Sequence, residues 1–336
     1  MGKIRFGVCI FGEEPLPKIV AQVKLTEELG YDSVWIADSQ LLCRELYVTL
    51  AACALNTSRI KLAAGVTAPY TRHVSVTAGS FATLNEIAGG RLMLGISTGN
   101  SLVRTIGARP AGISELEQYV AQLTGLLGNQ RVTFDGVVEG RIAWTDAPSN
   151  IPIYVAATGP RLTRAAAQMA NGVILLAGVS RFLVEKGLRL VKEGARQAGK
   201  QEDQVDVICW APASVSSDGA LAKEHSSSQV GALLHRVSLD GFGEEDQEAV
   251  RRLKEGFGRY PHANRPDAIG GRVPDRFIDM LALAGTPEEV RLKVAELIKV
   301  PGFSQIVINT PIAGDRFPSL ESVLKTFAEE VMAHVA

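Results

Sequence analysis

The sequence lacks the features that mark several large classes of protein. Its 336 residues include 35 basic and 36 acidic side chains, so no net charge of one sign draws in nucleic acid or an anionic membrane. No window approaches the roughly 18 uninterrupted apolar residues that a membrane span needs, and the N-terminus runs into a strand without the apolar stretch of a secretory signal. We therefore expect a cytoplasmic protein that binds neither nucleic acid nor membrane.

The sequence is also poor in the residue patterns of metal and hydrolase sites. Its 4 cysteines and 5 histidines form no CxxC pair and no cluster with ligand spacing, which argues against a zinc site and against a disulfide framework. It contains no Walker loop and no Ser-His-Asp elbow, so NTPase and hydrolase functions lack positive support. We predict a protein without a bound metal.

Strand-like and helix-like segments alternate along the chain. Short apolar, β-branched runs are separated by segments with apolar residues at helical spacing, a pattern typical of parallel strands joined by crossover helices. Eight such units predict a single α/β domain, a (β/α)8 TIM barrel, and the chain exceeds the ~250 residues of a plain barrel, which leaves room for insertions. The runs cover residues 4–11, 33–37, 60–66, 92–96, 153–156, 173–176, 205–210 and 306–309.

Two segments do not fit the repeating unit. Residues 128–147 contain an Asp-Gly turn between apolar residues, which predicts a small hairpin between the fourth helix and the fifth strand. Residues 216–285, rich in charge, Gly and Ser, predict an insertion of helices and loops after the seventh strand. This insertion is either a lid that brings His262 to the barrel mouth, or a structural or dimer-contact segment. Thr286, followed by Pro and by Glu289, then predicts the start of a helix.

Glycine-bearing turns follow three successive predicted strands. They are residues 95–101 after the fourth strand, 157–161 after the fifth and 177–179 after the sixth. The carboxyl ends of barrel strands carry the ligand site. Pro160 suits the first position of a helix whose free N–H groups bind anions, with Arg161 or Arg164 assisting. Three such turns on one rim favour a phosphorylated cofactor over three unrelated glycine turns.

Two titratable residues lie at predicted strand ends. Asp38 ends the second strand and points at the mouth, where a carboxylate can hydrogen-bond a ring or a substrate; alternatively it caps the next loop or pairs with Arg44. His73 follows the third strand beside Arg72, and it either binds phosphate or shuttles protons, or caps the helix that starts near Ser75. The residues alone leave both alternatives open.

Five motifs occur in order between residues 30 and 288. They are Gly-Tyr-Asp-Ser-Val-Trp-Ile-Ala-Asp at 30–38, Gly-Val-Thr-Ala-Pro-Tyr-Thr-Arg-His at 65–73, Ala-Thr-Leu-Asn-Glu-Ile-Ala-Gly-Gly-Arg at 82–91 with Leu-Gly-Ile-Ser-Thr-Gly-Asn-Ser at 94–101, Ile-Pro-Ile-Tyr-Val-Ala-Ala-Thr-Gly-Pro at 151–160, and Ala-Gly-Thr-Pro-Glu at 284–288. Together they resemble the luciferase-like superfamily of flavin- and deazaflavin-dependent oxidoreductases, most closely its branch around methylenetetrahydromethanopterin reductase. The resemblance implies a (β/α)8 barrel with an insertion after the seventh strand, usually as a homodimer.

The resemblance also implies where a cofactor binds. Its ring lies across the barrel mouth, backed by a bulge after the third strand with a non-prolyl cis peptide bond between Gly65 and Val66. Its phosphate lies at the turns after the fifth and sixth strands. The residues and the resemblance together predict the cofactor contacts Asp38, Ser39, Gly65, Val66, Thr67, Thr98, Gly99, Asn100, Thr158, Gly159, Pro160, Arg161, Ala177, Gly178 and Val179. The candidate catalytic residues are Asp38, His73 and Asn100.

Two positions depart from the family pattern. Many deazaflavin-dependent relatives carry His where this chain has Ser39. Some carry a Glu or Asp proton donor where it has Asn100, whose amide cannot act as an acid. Asp38 and His73 therefore remain as candidates for proton transfer.

The predicted function is hydride transfer between the deazaflavin coenzyme F-420 (F420) and a small organic substrate held under the lid, with the ring carrying the chemistry. FMN is the alternative cofactor, and reduced FMN with oxygen would make the protein a monooxygenase. A non-catalytic ligand-binding barrel is the alternative of another class, to which the departures at Ser39 and Asn100 point.

Overall fold

The structure, a computed structural model, describes residues 3–255, 273–312 and 314–335. Its strands are β1 (Arg5–Ile10), β2 (Ser33–Ile36), β3 (Lys61–Thr67), β4 (Leu92–Ile96), β5 (Val132–Phe134), β6 (Val138–Gly140), β7 (Ile153–Ala157), β8 (Gly172–Leu175), β9 (Asp206–Val215), β10 (Leu283–Gly285) and β11 (Gln305–Asn309). Its helices are α1 (Leu16–Glu28), α2 (Leu46–Leu55), α3 (Val74–Ile87), α4 (Ser101–Arg104), α5 (Ile113–Leu127), α6 (Pro160–Met169), α7 (Arg181–Gln197), α8 (Gly219–Leu234), α9 (Glu244–Glu255), α10 (Asp275–Leu281), α11 (Pro287–Leu297), α12 (Leu320–Phe327) and α13 (Ala333–Val335). Single turns of 3-10 helix span Pro69–Thr71 and Glu202–Gln204, and a π-helical turn spans Ala328–Met332.

Eight of these strands close into a barrel, which confirms the fold expected from the alternating units. Their hydrogen-bonded order is β9-β11-β1-β2-β3-β4-β7-β8, and β8 pairs with β9 to complete the ring. The fifth to eighth barrel strands are therefore β7, β8, β9 and β11. Every pairing in the ring is parallel, so the eight carboxyl ends share one rim, where barrels hold their ligands.

Side chains fill the interior of the barrel. Trp35 of β2 lies edge-on to Tyr154 of β7 and to Trp210 of β9, with ring centroids 5.8 and 5.7 Å apart. Because such an interior is packed like the rest of a protein core, a ligand is restricted to the mouth at the carboxyl rim. Four partly buried side chains pack against this interior cluster and are called here the mouth floor: Phe11, Cys43, Val66 and Leu176.

The larger core lies between the sheet and the surrounding helices. On α5, for example, the buried residues include Leu116, Val120, Leu123 and Leu127, and spacings of three or four residues put them on one face of the helix. Burial of such faces closes the outside of the barrel. Within the described ranges, no helix combines the length and the apolar character that crossing a membrane requires.

Two groups of elements lie outside the ring of eight strands. The antiparallel pair β5 and β6 lies within residues 128–147. Within residues 216–285, helices α8 and α10 share a separate buried cluster that includes Val230 and Phe277, and β10 pairs with the end of β9. His262 lies outside the described residues, and a role of this second segment as a lid stays a prediction.

Candidate active site

The third barrel strand ends in a bulge beside the mouth floor. The register between β3 and β4 shifts between Ala64 and Thr67, and the Gly65–Val66 peptide bond is cis, as the family resemblance implies. A Cβ atom on Gly95 would lie 2.4 Å from the carbonyl oxygen of Ala64, so the absence of a side chain there lets β4 approach the bulge. The bulge carries Val66 into the mouth floor, and an apolar floor suits the face of a planar ring.

Both carboxylate oxygens of Asp38, just after β2, are hydrogen-bonded. Arg72 donates from Nη1 to Oδ2 at 2.6 Å and from Nη2 to Oδ1 at 3.3 Å. Thr67 Oγ1 donates to Oδ2 at 2.7 Å, and Gln40 Nε2 donates to Oδ1 at 2.8 Å. The ion pair with Arg44 that the sequence suggested is wrong, because the Arg44 guanidinium donates instead to two backbone carbonyls of the loop after β1.

His73 is the N-cap residue of α3, which confirms the capping alternative. Its Nδ1 accepts the backbone N–H of Ser75 at 3.3 Å and lies 2.7 Å from Ser75 Oγ. Its exposed ring lies against Phe134 of the β5–β6 hairpin, with ring centroids 5.3 Å apart. Since Nδ1 is engaged by the cap, Nε2 is the ring nitrogen left for a ligand, and a catalytic role of His73 stays a prediction.

The turn after β4 is shaped by Gly99. Its φ is +88°, and a Cβ atom there would lie 2.9 Å from Val103 Cγ1, so both the conformation and the space favour glycine. Asn100 is exposed, and its backbone carbonyl accepts the N–H of Val103 as α4 begins. The carbonyl of Thr98 accepts the N–H of Ala111 at 2.8 Å. These contacts fix the loop, while the amide of Asn100 is left at its surface.

The turn after β7 leads into α6 and has open space beside it. Gly159 is the N-cap residue, with a φ of −96°, and apart from its two chain neighbours no heavy atom of the described residues lies within 4 Å of the position its Cβ would take. Pro160 begins the helix, and the N–H groups that follow it have no intrahelical acceptor. Thr158 and Arg161 flank this end, whereas Arg164 pairs with a glutamate of α7 at 2.8 Å. An open helix N-terminus of this kind binds anions.

The turn after β8 is instead occupied by protein. The backbone N–H of Val179 donates to the carbonyl oxygen of Met280, at the end of α10, at 3.0 Å. Gly178 has a φ of +97°, and a Cβ atom on it would lie 2.6 Å from Leu281 Cδ2. Ala177 is half-buried against the main core. One of the N–H groups expected to reach a phosphate is thus already bonded within the protein.

The mouth floor is uncharged. Burial raises the pKa of the Cys43 thiol to about 11, so the thiol keeps its proton at neutral pH, and the other three floor residues are hydrocarbon. The backbone N–H of Cys43 donates to the carbonyl of buried Ser39 at 2.8 Å. This bond holds the loop after β2 against the floor.

Sequence reasoning missed several residues that shape the mouth. Nothing in the sequence pairs Arg72 with Asp38, because the two belong to different loops. Phe11 and Leu176 directly follow β1 and β8, and an apolar residue just after a barrel strand is the signal that would have found them. No such signal in the sequence marks the carbonyl of Met280, because it reaches the rim only when the insertion folds against the barrel.

The fold and the rim define a (β/α)8 barrel protein whose ligand site lies at the carboxyl ends of its strands. The chain belongs to the luciferase-like monooxygenase family, whose sequence model matches residues 4–305. This match confirms the resemblance seen in the five motifs. It also places the chain among enzymes.

Curated proteins and a solved structure resemble the chain along nearly its whole length. The 5,10-methylenetetrahydromethanopterin reductase of Methanolobus tindarius is 31% identical over 341 residues, which cover 97% of this chain and 99% of that protein. The F420-dependent glucose-6-phosphate dehydrogenase of Beutenbergia cavernae is 28% identical, with 98% and 96% covered. The structure of the coenzyme F420-dependent tetrahydromethanopterin reductase from Methanopyrus kandleri matches with a TM-score of 0.78 at 26% identity, covering 100% of both chains.

Proposed function

We propose that this protein is an F420-dependent oxidoreductase that transfers a hydride between the deazaflavin and a small organic substrate at the barrel mouth. The observation that supports it most is the presence, at one rim, of an apolar mouth floor and the open N-terminus of α6, because F420 joins a flat ring to a phosphate. Two of the proteins that the chain resembles are F420-dependent by name.

In this proposal the chain binds and orients the cofactor. The ring faces the mouth floor at Gly65 and Val66, and the phosphate lies at Gly159 and Arg161, where the backbone is open. When bound, the deazaflavin supplies the hydride chemistry, while the protein supplies position and a dry surface. Because the N–H of Val179 is already bonded to Met280, the N-terminus of α6 carries most of the phosphate binding.

Titration of the purified protein with F420 and, separately, with FMN tests this proposal. Ligand fluorescence should change and saturate with F420 at micromolar concentrations or below. A protein that leaves the fluorescence of both ligands unchanged would make the proposed function wrong.

An FMN-dependent monooxygenase is the second candidate, favoured by the description of the matching family. In that case the same rim holds the FMN phosphate, and the protein with reduced FMN consumes oxygen in step with an organic substrate. An oxygen electrode distinguishes the two candidates, since hydride transfer with F420 proceeds without oxygen uptake.

We further propose that α8 and α10, the described helices of this insertion that share its buried cluster, cover the mouth and keep water from it. Leu176 of the mouth floor also packs against the cluster that α8 and α10 share, so the insertion adjoins the floor. A dry mouth protects the reacting groups from solvent. Hydrogen exchange should show that cofactor binding protects α8 and α10, and unchanged exchange in both helices would contradict a lid.

The outer face of α2 and α3 is the surface that we propose for a homodimer. Val48 and Leu55 of α2 are 60% and 73% exposed, Val76 of α3 is 51% exposed, and exposed Trp144 lies against Gly79 of α3. Exposed apolar side chains on two neighbouring helices suit a contact with a second copy, because a two-fold contact would bury each of them on both copies. Light scattering should give a dimer mass that Leu55→Glu reduces to that of a monomer; a variant that stays dimeric would exclude this surface.

A further inference from the structure

Hydrogen-bond donors fill the acceptor positions of the Asp38 carboxylate. Two carboxylate oxygens offer about four acceptor positions, and four donors fill them: two N–H groups of Arg72, the hydroxyl of Thr67 and the amide of Gln40. The Asp38 side chain is 2% exposed. A carboxylate whose acceptor positions are all filled by neighbouring side chains is fixed in one place and leaves none of them for a substrate proton.

Arg72 also contacts residues at the start of α2 and a residue of α5. Its Nη2 lies 2.7 Å from Oε1 of Glu45, the N-cap residue of α2, and its guanidinium stacks 4.4 Å from the centroid of the Tyr47 ring. The backbone carbonyl of Arg72 accepts the hydroxyl of Tyr119, on α5, at 3.1 Å. Its side chain is 11% exposed. Arg72 therefore ties the end of β2 to α2, and its own loop is tied to α5.

Thr67 connects the Asp38–Arg72 pair to the mouth floor. It is 1% exposed, it directly follows Val66 along the chain, and its hydroxyl donates to Asp38 Oδ2 at 2.7 Å. The register of β3 against β4 resumes at Thr67 after the bulge. A hydrogen bond to a charged group therefore holds Thr67, the residue at which the bulge ends. Such charge-assisted bonds are among the stronger hydrogen bonds in proteins.

We propose that Thr67, Asp38 and Arg72 form a positioning triad that fixes the bulge, and with it Val66, against the cofactor ring. Asp38 accepts the hydrogen bonds that join its loop to the loop after β3, and it is not the proton donor of the reaction. This inference rests on the proposed function, because the ring that the bulge positions belongs to F420 or FMN.

Three single variants test the triad. Thr67→Val keeps the shape and removes the hydroxyl, Thr67→Ser keeps the hydroxyl, and Thr26→Val removes a buried hydroxyl that bonds the carbonyl of Gln22 on α1. The dissociation constants for F420 and for FMN, and the absorption spectrum of each bound chromophore, are measured for all three and for the unchanged protein. Thermal unfolding is followed alongside, so that a general loss of stability is recognised.

Thr67→Val should weaken binding of the chromophore by up to about tenfold, because the lost hydrogen bond to a charged group acts on the ring only through the position of the bulge, and should shift the bound spectrum. Thr67→Ser should restore both values, and Thr26→Val should lose stability without a change in either. If Thr67→Val fails to fold, Arg72→Lys takes its place, since lysine keeps the charge and loses the two-pronged contact with Asp38.

The possible outcomes distinguish a failure of the triad from a failure of the proposed function. An unchanged protein that binds neither F420 nor FMN overturns the proposed function and the triad together. An unchanged protein that binds, beside a folded Thr67→Val variant with the same affinity and the same spectrum, overturns the triad alone.

Discussion

The turns after β7 and β8 look alike in sequence and differ in structure. Each carries a glycine between small residues, and each is expected from the sequence to hold the cofactor phosphate. Beside Gly159 the space is open within the described residues and φ is −96°, whereas Gly178 has a φ of +97° and packs against Leu281. The first turn leads into an open helix N-terminus, and the second donates the N–H of Val179 to Met280.

Glycine therefore serves two purposes on one rim. At Gly159 the missing side chain leaves room for a ligand, while at Gly178 it lets the insertion approach the barrel. A sequence pattern does not separate these cases, because the second depends on a segment far along the chain. Three pairs of variants test how the two turns differ.

The largest effect should come from Gly178→Ala, and it should fall on stability. Alanine is strained at a φ of +97°, and its Cβ would lie 2.6 Å from Leu281 Cδ2. We expect the free energy of unfolding to fall by about 3 kcal/mol, measured by urea denaturation. Gly159→Ala is the matched control: alanine is a poorer N-cap residue but restricts the unfolded chain and meets open space, so we expect a change below about 1 kcal/mol. Equal losses in the two variants would show that the turns are not different.

A smaller effect, confined to binding, should follow Gly159→Asp. Aspartate is a favoured N-cap residue, so α6 keeps its start, but its carboxylate would stand where the phosphate is expected. Repulsion at this range is of the order of 1–2 kcal/mol, which weakens cofactor binding about tenfold. The dissociation constant for F420, measured by fluorescence, checks this.

Gly159→Asn is the control for Gly159→Asp, since it has the same shape without the charge and should bind F420 nearly as the unchanged protein does. A deazaflavin chromophore without the phosphate should bind equally to both variants. Similar weakening by Asn and Asp would mean that space, and not charge, decides binding at this turn.

The parts of the fold that follow from local patterns were predictable from the sequence. Thr286 accepts the N–H of Glu289 at 3.3 Å, and the Glu289 carboxylate accepts the N–H of Thr286 at 2.7 Å, so the helix start read from these residues is confirmed. Alternating strand and helix periods likewise need only neighbouring residues, and they predicted the closed barrel. The cis bond at Gly65–Val66 came from the resemblance to a family and not from the local pattern.

The contacts of the site depend on residues far apart in the chain, and these were not predictable. For Asp38 the sequence suggested the nearby Arg44, while the structure pairs it with Arg72, 34 positions away. The same limit applies to Gly178, whose neighbours in space come from α10. Local rules describe how one segment folds, whereas the partner of a buried charge is decided by which loops the barrel brings together.

The smallest effect should separate two arginines of α6 that the sequence could not distinguish. Arg161 is exposed on the first turn, beside the open N-terminus, whereas Arg164 pairs with Glu193 of α7 at 2.8 Å. Arg161→Gln should weaken F420 binding about threefold at low salt, and the difference should shrink as salt screens the exposed charge. Arg164→Gln should leave the affinity unchanged, because its half-exposed ion pair is worth about 1 kcal/mol or less and acts between helices. If Arg164→Gln weakens binding more than Arg161→Gln, the phosphate binds further along α6 than the N-terminus of the helix. The open turn at Gly159 is then not the phosphate-binding site.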